Sequence, residues 1–234
     1  MTINSMKSDT HLFCNNIMIA AHRIYNCRLQ SYIIIMPKGR LSGFSSQSLL
    51  QDAKNHHRWI CWAEHRSDHI DDKVPVDTSN YIKSRSEYQA KEYHKRDIWM
   101  SHSEAKRIAE ESDEITGIGL VMRESPFFYI DIDECIIPNT LQIDENAYNI
   151  IERIDSYVEL SRSRTGVHII ARGSLPQYGW GVNDSGFEIE LYDGSWVDVT
   201  EYHLSGTDMN AKRAAKEGKK LAEEFDISTD NSWN

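Results

Sequence analysis

The segment Tyr129-Ile-Asp-Ile-Asp-Glu134 constrains this 234-residue chain more than any other. On a strand, successive side chains point to opposite faces, so Asp131 and Asp133 share one face while Ile130 and Ile132 enter the core. Two carboxylates side by side on such a strand repel each other. They persist there only with a cation, a proton or strong donors beside them. A divalent ion is the economical partner, and an all-oxygen ligand set suits Mg²⁺ or Mn²⁺. The other reading of so short a motif is a strand end whose aspartates face water.

The elements around this strand define a fold class. Leu49 to His56 reads as a short helix, and Arg58 to Ala63 as a buried strand rich in aromatic and β-branched residues. Asp68 to Asp72 reads as a turn and Lys73 to Val76 as a short extended piece. Ser101-x-x-Glu104 is a capping box that opens a helix running to Glu111. Gly117 to Met122 and Phe127 to Asp133 read as two adjacent strands joined by a tight Glu124-Ser-Pro126 turn. Ala147, Ile150, Ile151, Ile154 and Val158 recur at helical spacing from Asp144 to Tyr157. Tyr157 to Leu160, Gly166 to Ala171, Phe187 to Tyr192 and Trp196 to Leu204 are strand-like, and Asn210 to Phe225 is a charged helix. Single helices between strands, with hairpins late, indicate an α+β sheet domain rather than a doubly wound one.

Charge divides the chain. The net charge is −10, yet residues 1–50 hold Lys7, Arg23, Arg28, Lys38 and Arg40 against Asp9 alone. Residues 1–36 read as a poorly ordered extension or as an amphipathic helix docking on the domain, residues 37–208 as the catalytic domain, and residues 209–234 as a charged C-terminal helix and tail. The acidic balance argues against coating nucleic acid by bulk charge, but leaves room for a local basic groove beside an acidic metal site. The apolar stretch Ile17 to Met36 is broken by His22, Arg23, Asn26, Arg28 and Gln30, so no membrane span is expected. Four cysteines without a C-x-x-C pair fit a reducing cytoplasm, with neither a zinc ribbon nor a disulfide framework.

Two further segments carry chemistry. Ser161-Arg-Ser-Arg-Thr-Gly-Val-His168 is a small polar turn entering a strand. Its backbone amides can cradle phosphate, which Arg162, Arg164 and His168 can neutralise. The alternative is a surface turn before a core histidine. Glu188-Ile-Glu-Leu-Tyr-Asp-Gly-Ser-Trp-Val-Asp198 reads as an acidic hairpin. A two-residue turn would pair Glu190 with Val197. A three-residue loop, the favoured reading, would pair Glu190 with Asp198 and Tyr192 with Trp196, gathering all four on one face. Two aspartates, a carboxylate from a distant strand and a phosphate-type turn together suit two-metal phosphoryl or nucleotidyl transfer.

In order and spacing these motifs resemble the catalytic domain of the archaeo-eukaryotic primase superfamily, and most of all the primase-polymerases of archaeal viruses, phages and plasmids. The resemblance covers residues 50–208. It rests on Trp59-Ile-Cys-Trp62, Lys73-Val-Pro75, Trp99, Gly117-Ile-Gly119, Asp131-Ile-Asp133, Ser156-Tyr-Val-Glu-Leu-Ser161, Thr165-Gly-Val-His168, Glu190-Leu-Tyr-Asp193, Thr200 and Gly206-Thr207. It implies a mixed or antiparallel sheet with an RRM-like catalytic core and flanking helices. It places Asp131, Asp133 and Glu190 on two Mg²⁺ or Mn²⁺ ions and His168 on the incoming triphosphate. Trp196 would lie near the nucleotide sugar. Ser163, Arg164, Thr165, Gly166 and Lys73 would contact nucleotide or template. The implied activity is DNA primase and polymerase synthesis on a single-stranded DNA template from nucleoside triphosphates, in the replication of a virus, plasmid or integrated element. The larger relatives continue into a helicase region. The chain is thus expected to be a stand-alone domain, a piece of a split gene or a decayed copy, with a replicative helicase as partner.

Three departures bear on activity rather than fold. Relatives have glycine where this chain has Arg164, an arginine before the aromatic where it has Ser195, and Thr-Gly where it has Thr200-Glu201. Arg164 either adds a phosphate contact or obstructs the loop. The competing reading is a catalytically degenerate domain that binds nucleic acid or a replication partner. The D-x-D motif also occurs in sugar-nucleotide transferases, but the later motifs and the absence of a doubly wound pattern argue against one.

Overall fold

The computed structural model describes residues 32–36, 40–45, 50–67, 70–84, 86–137, 142–175, 180–182 and 188–227. The strands are β1 (Tyr32–Met36), β2 (Arg40–Ser45), β3 (Trp59–Ser67), β4 (Ile70–Ile82), β5 (Glu87–Ala90), β6 (Gly117–Val121), β7 (Phe127–Asp133), β8 (Ile136–Ile137), β9 (Gln142–Ile143), β10 (Tyr157–Leu160), β11 (Val167–Arg172), β12 (Trp180–Val182), β13 (Glu188–Tyr192), β14 (Trp196–Val199) and β15 (His203–Leu204). The helices are α1 (Gln51–Lys54), α2 (His102–Glu111), α3 (Glu145–Ile154) and α4 (Ala215–Glu224). No helix among the described residues is long and apolar enough to cross a membrane.

The strands form two sheets, ordered β12-β13-β7-β11-β10-β15-β2-β1-β9-β8 and β14-β6-β3-β4-β5. Pairings between these strands are antiparallel except β1 with β9. The protein is α+β, as its element order indicates. At the centre of the larger sheet, β7, β10, β11 and β13 lie in the order β13-β7-β11-β10, with α3 between β7 and β10 in the chain. This is the 4-1-3-2 arrangement of an RRM-like core, except that α4 follows the fourth strand instead of preceding it.

Local chemistry sets the elements. The Ser101 hydroxyl accepts the Glu104 amide at 3.3 Å and caps α2. Asp144 caps α3 by accepting the amides of Asn146 and Ala147. Helix α3 buries Ala147, Ile150, Ile151 and Ile154, and Val158 of the same apolar series belongs to β10. That helix face packs with Ile130, Ile132, Ile169, Leu191 and Leu221 on one side of the larger sheet. Each isoleucine so buried contributes about 1.5–3 kcal/mol. Trp59, Leu120, Met122, Phe127, Tyr129, Tyr157 and Ile170 fill a second core between the sheets.

Several sequence expectations are corrected. Strands β6 and β7 are consecutive but belong to different sheets, so they are not adjacent partners. The expected hairpin of residues 188–198 does not form either: β13 pairs with β7 and β12, whereas β14 pairs with β6. Both connections bend at one corner, where Ser195 carbonyl accepts the amides of Met122 and Arg123 at 2.9 and 3.3 Å. Each chain there passes from one sheet to the other beside its neighbour. Every residue of β6 is buried, which a single two-stranded hairpin could not achieve. Trp196 to Leu204 is not one strand, because Glu201 takes a left-handed backbone, φ 59°, between β14 and β15. Asp71 and Asp72 of the expected turn, with Lys73 to Val76, lie in the long β4. Tyr32–Met36, assigned from sequence to the extension, pairs as β1 with β2. Residues 1–31, Asp68 and Phe187 lie outside the described residues.

Gly119, inside β6, marks a position that tolerates no side chain. A Cβ there would stand 2.5 Å from the Trp196 ring and 3.0 Å from the Val197 carbonyl. Gly119→Ala is expected to destabilise the protein by about 1–3 kcal/mol through overpacking. Gly194→Ala, with nothing within 4 Å of the new carbon, is expected to be near neutral. Urea unfolding of the two variants measures the difference.

Candidate active site

Strand register assembles the acidic residues. Glu190 of β13 lies opposite Asp131 of β7, and Asp131 lies opposite His168 of β11. His168 in turn lies opposite Glu159 of β10. Directly opposed residues share a face, so Glu190, Asp131, His168 and Glu159 form one polar row across four strands. Glu188 opposite Asp133 begins the next row. Ile130 and Ile132 enter the helix-covered core, as the alternation of β7 requires.

The row is electrostatically loaded. Burial, with Asp133 close by, raises the Asp131 carboxyl, although His168 opposes the shift. Asp133 is raised mainly by burial. Burial, then Asp131 and Asp133, push Glu190 up to about 7. Burial disfavours a charge on His168, but Asp131 and Glu159 outweigh it and hold the imidazole up to about 9. Its Nε2 stands 3.7 Å from Asp131 Oδ2, beyond hydrogen-bond reach. Asp131 Oδ1 is buried without a hydrogen-bond partner among the described residues.

That orphaned oxygen, beside carboxyls that burial and mutual repulsion keep from ionising easily, fits a missing cation. Among the described residues, no group of three or more His, Cys, Asp or Glu side chains is arranged to hold a metal ion by itself. Mg²⁺ is commonly held by one or two carboxylates together with substrate phosphates, so an open set suits it.

The phosphate-type turn abuts the row. Ser161, Ser163 and Thr165 link their hydroxyls at 2.9 and 3.0 Å, and the Gly166 amide donates to Ser161 Oγ at 3.1 Å. A Cβ on Gly166 would approach Asp133 Oδ1 to 3.1 Å and the Ile132 carbonyl to 2.5 Å, so glycine lets the turn close on the end of β7. Arg164 lines a cavity of about 310 Å³ with Lys106, Glu110, Arg162 and Glu201, and neither His168 nor the three carboxylates line it.

The smaller sheet supplies cations and rings. Lys73 Nζ and Arg162 Nε bind Asp198 Oδ2 at 3.3 and 3.2 Å. Both cations lie over the Trp62 ring, 5.7 and 4.7 Å from its centre, and Trp196 packs 6.2 Å from Trp62. Lys73 and Asp198 act electrostatically on Asp131, which places this cluster beside the acidic row. Gly117 makes the cluster possible, since a Cβ there would strike Arg162 and Trp62.

Glu159 lies in the Ser156-Tyr-Val-Glu-Leu-Ser161 motif that carries the resemblance, but no role was read for it from sequence. A carboxylate between Val158 and Leu160 is in a position that demands partners. It is fully buried and accepts from His168 Nδ1, Tyr157 Oη and the amides of Thr200 and Glu201 at 2.9–3.1 Å. Arg164 and Glu201, two positions where the chain departs from the pattern it resembles, both keep a positive φ, 66° and 59°. Glu201 is compensated by Lys54, His102 and Lys106, at 2.6, 3.1 and 2.5 Å.

No family model matches the chain. A DNA Primase-polymerase of Nitratiruptor phage NrS-1 is 28% identical over 155 residues, covering 64% of this chain. The likeness is to a primase-polymerase. It agrees with the resemblance carried by the motif order. The chain spans about a fifth of that relative's length.

Burial disfavours the Glu201 charge, yet hydrogen bonds from His102, Lys106 and Lys54 hold this carboxyl well below its ordinary value of 4.5. Its stabilising contribution is complete above about pH 4.5 and fades as pH falls toward the depressed folded value. Glu201→Gln is expected to lose about 3 kcal/mol at pH 7, because it leaves buried cations short of their partner. The gap to wild type should narrow steadily below about pH 4.5 in denaturant melts.

Proposed function

We propose that this domain carries out template-directed nucleotidyl transfer, extending or initiating a strand on single-stranded DNA from nucleoside triphosphates during replication of a phage, plasmid or related element. The observation that carries this reading is the register of Glu190, Asp131 and His168 across three strands, with Asp131 Oδ1 buried and unpartnered among the described residues. The phage relative supports the same reaction class.

Asp131, Asp133 and Glu190 would hold two Mg²⁺ or Mn²⁺ ions, which supply activation of the attacking 3′-hydroxyl and neutralise charge on the leaving pyrophosphate. The chain's own groups do the rest. His168 presents a positively charged Nε2–H to a triphosphate oxygen from a fixed place in the sheet. The Ser163 to Gly166 turn offers hydroxyls and amides beside Asp133. Lys73 and Arg162, already oriented by Asp198 and Trp62, add positive charge at the nucleotide or template. Trp196 offers a flat ring for sugar or base. Arg164 lines the neighbouring cavity, where it meets nucleic acid rather than the transferred phosphates. A replicative helicase is the natural partner of such a domain.

Incorporation of labelled nucleotides on a single-stranded template, with Mg²⁺ or Mn²⁺ and with or without a primer, tests this. Asp131→Asn is expected to reduce synthesis by at least about 10²–10³. It should leave the melting temperature unchanged or raised, because it removes a carboxyl whose ionisation burial opposes. Retained synthesis in that variant would overturn the assignment. A folded wild type that binds DNA but incorporates nothing would favour the degenerate binding domain.

A further inference from the structure

The proposed reaction leaves one buried carboxylate without a task. Glu159 is fully buried at the centre of the larger sheet, and both its oxygens are occupied. Oε1 accepts from His168 Nδ1 at 3.1 Å and from the Thr200 amide at 3.0 Å. Oε2 accepts from the Glu201 amide and from Tyr157 Oη, each at 2.9 Å. Packing alone does not account for this. An apolar residue would fill a strand position in a sheet interior without the desolvation that a carboxylate brings.

A carboxylate can only accept here, so its bond to His168 fixes the proton on Nδ1 and turns Nε2 toward Asp131. The ring cannot flip without breaking that bond. The same oxygen that holds Nδ1 also holds the Thr200 amide. The ring is therefore tied to the turn between β14 and β15, which Glu201 anchors to α1 and α2 through Lys54, His102 and Lys106.

We infer that Glu159 is a positioning residue for nucleotide binding: by accepting from Nδ1 it fixes the orientation of the His168 ring so that Nε2 is aimed at the triphosphate, and ties that aim to the Thr200–Glu201 turn. The inference rests on the reading of His168 as a triphosphate contact. Glu159 touches no substrate itself and acts through the ring.

Three measurements on the full chain test it. In the ¹⁵N-histidine NMR spectrum of the wild type, His168 Nδ1 should carry a slowly exchanging proton; a bare Nδ1 would overturn the proposal. Steady-state kinetics should then show Glu159→Gln raising KM for the nucleoside triphosphate about 10–100-fold, with a smaller change in kcat. Tyr157→Phe, which removes a different bond to the same carboxylate, should leave KM unchanged. An equal rise in both variants would overturn the positioning role in favour of a structural one. Finally, Glu159→Gln should have no further effect in a His168→Ala background, since the two act as a unit. A raised KM in His168→Ala with an unchanged KM in Glu159→Gln would overturn this proposal alone. An unchanged KM in His168→Ala would overturn the triphosphate role of His168, and this proposal with it.

Discussion

Like charges held side by side on β7 and β13 are the constraint around which the rest of the domain is organised. Asp131, Asp133 and Glu190 share one region of a sheet whose other face is solid hydrocarbon. Burial raises all three, and repulsion from neighbouring carboxylates adds to it. Such a group persists only if its neighbours compensate, and each neighbouring element contributes something. Strand β11 brings His168, strand β4 brings Lys73, and the turn after β10 brings Arg162 and a run of hydroxyls. The compensation is incomplete, as the unpartnered Asp131 oxygen and the raised Glu190 both indicate. The remaining deficit is one that a divalent ion and a triphosphate would fill together.

The corner at Ser195 is what allows two sheets to serve one site. Because β6 and β7 bend there alongside β13 and β14, the smaller sheet delivers its Trp62, Lys73 and Asp198 cluster beside the acidic row of the larger one. The glycines of β6 give up side chains so that Trp62, Arg162 and Trp196 can take the space. The Gly-x-Gly spacing is thus a packing requirement of the cation cluster rather than a phosphate loop.

What the sequence made legible follows period and local chemistry. The alternation of β7, the capping box of α2 and the apolar spacing of α3 each dictate structure within a few residues, and all three are present. Period does not say which sheet a strand joins, so β6 with β7, and β13 with β14, looked like hairpins. A strand buried on both faces, as β6 is, carries no alternation that would reveal its partner. Glu159 was hidden for a related reason, since its four partners come from three separate segments of the chain. The left-handed backbones at Arg164 and Glu201 were invisible because neither residue favours that conformation, and only the glycine of relatives hinted at it.

Chains that keep such a conformation without glycine give up about 1 kcal/mol per position. Here the Glu201 side chain returns ion pairs to Lys54 of α1 and Lys106 of α2 and a hydrogen-bond contact to His102. Ion pairs thus support a left-handed backbone at Glu201 without glycine. The claim at the centre of the account is that the acidic row is an incomplete metal site, finished by substrate. Electron paramagnetic resonance of Mn²⁺ measures this directly, in titrations of the full chain with and without a nucleoside triphosphate. The account predicts weak Mn²⁺ binding alone, strong binding when protein and triphosphate are both present, and loss of that enhancement in Asp131→Asn/Asp133→Asn. Mn²⁺ binding that the triphosphate and the double substitution leave unchanged would contradict it.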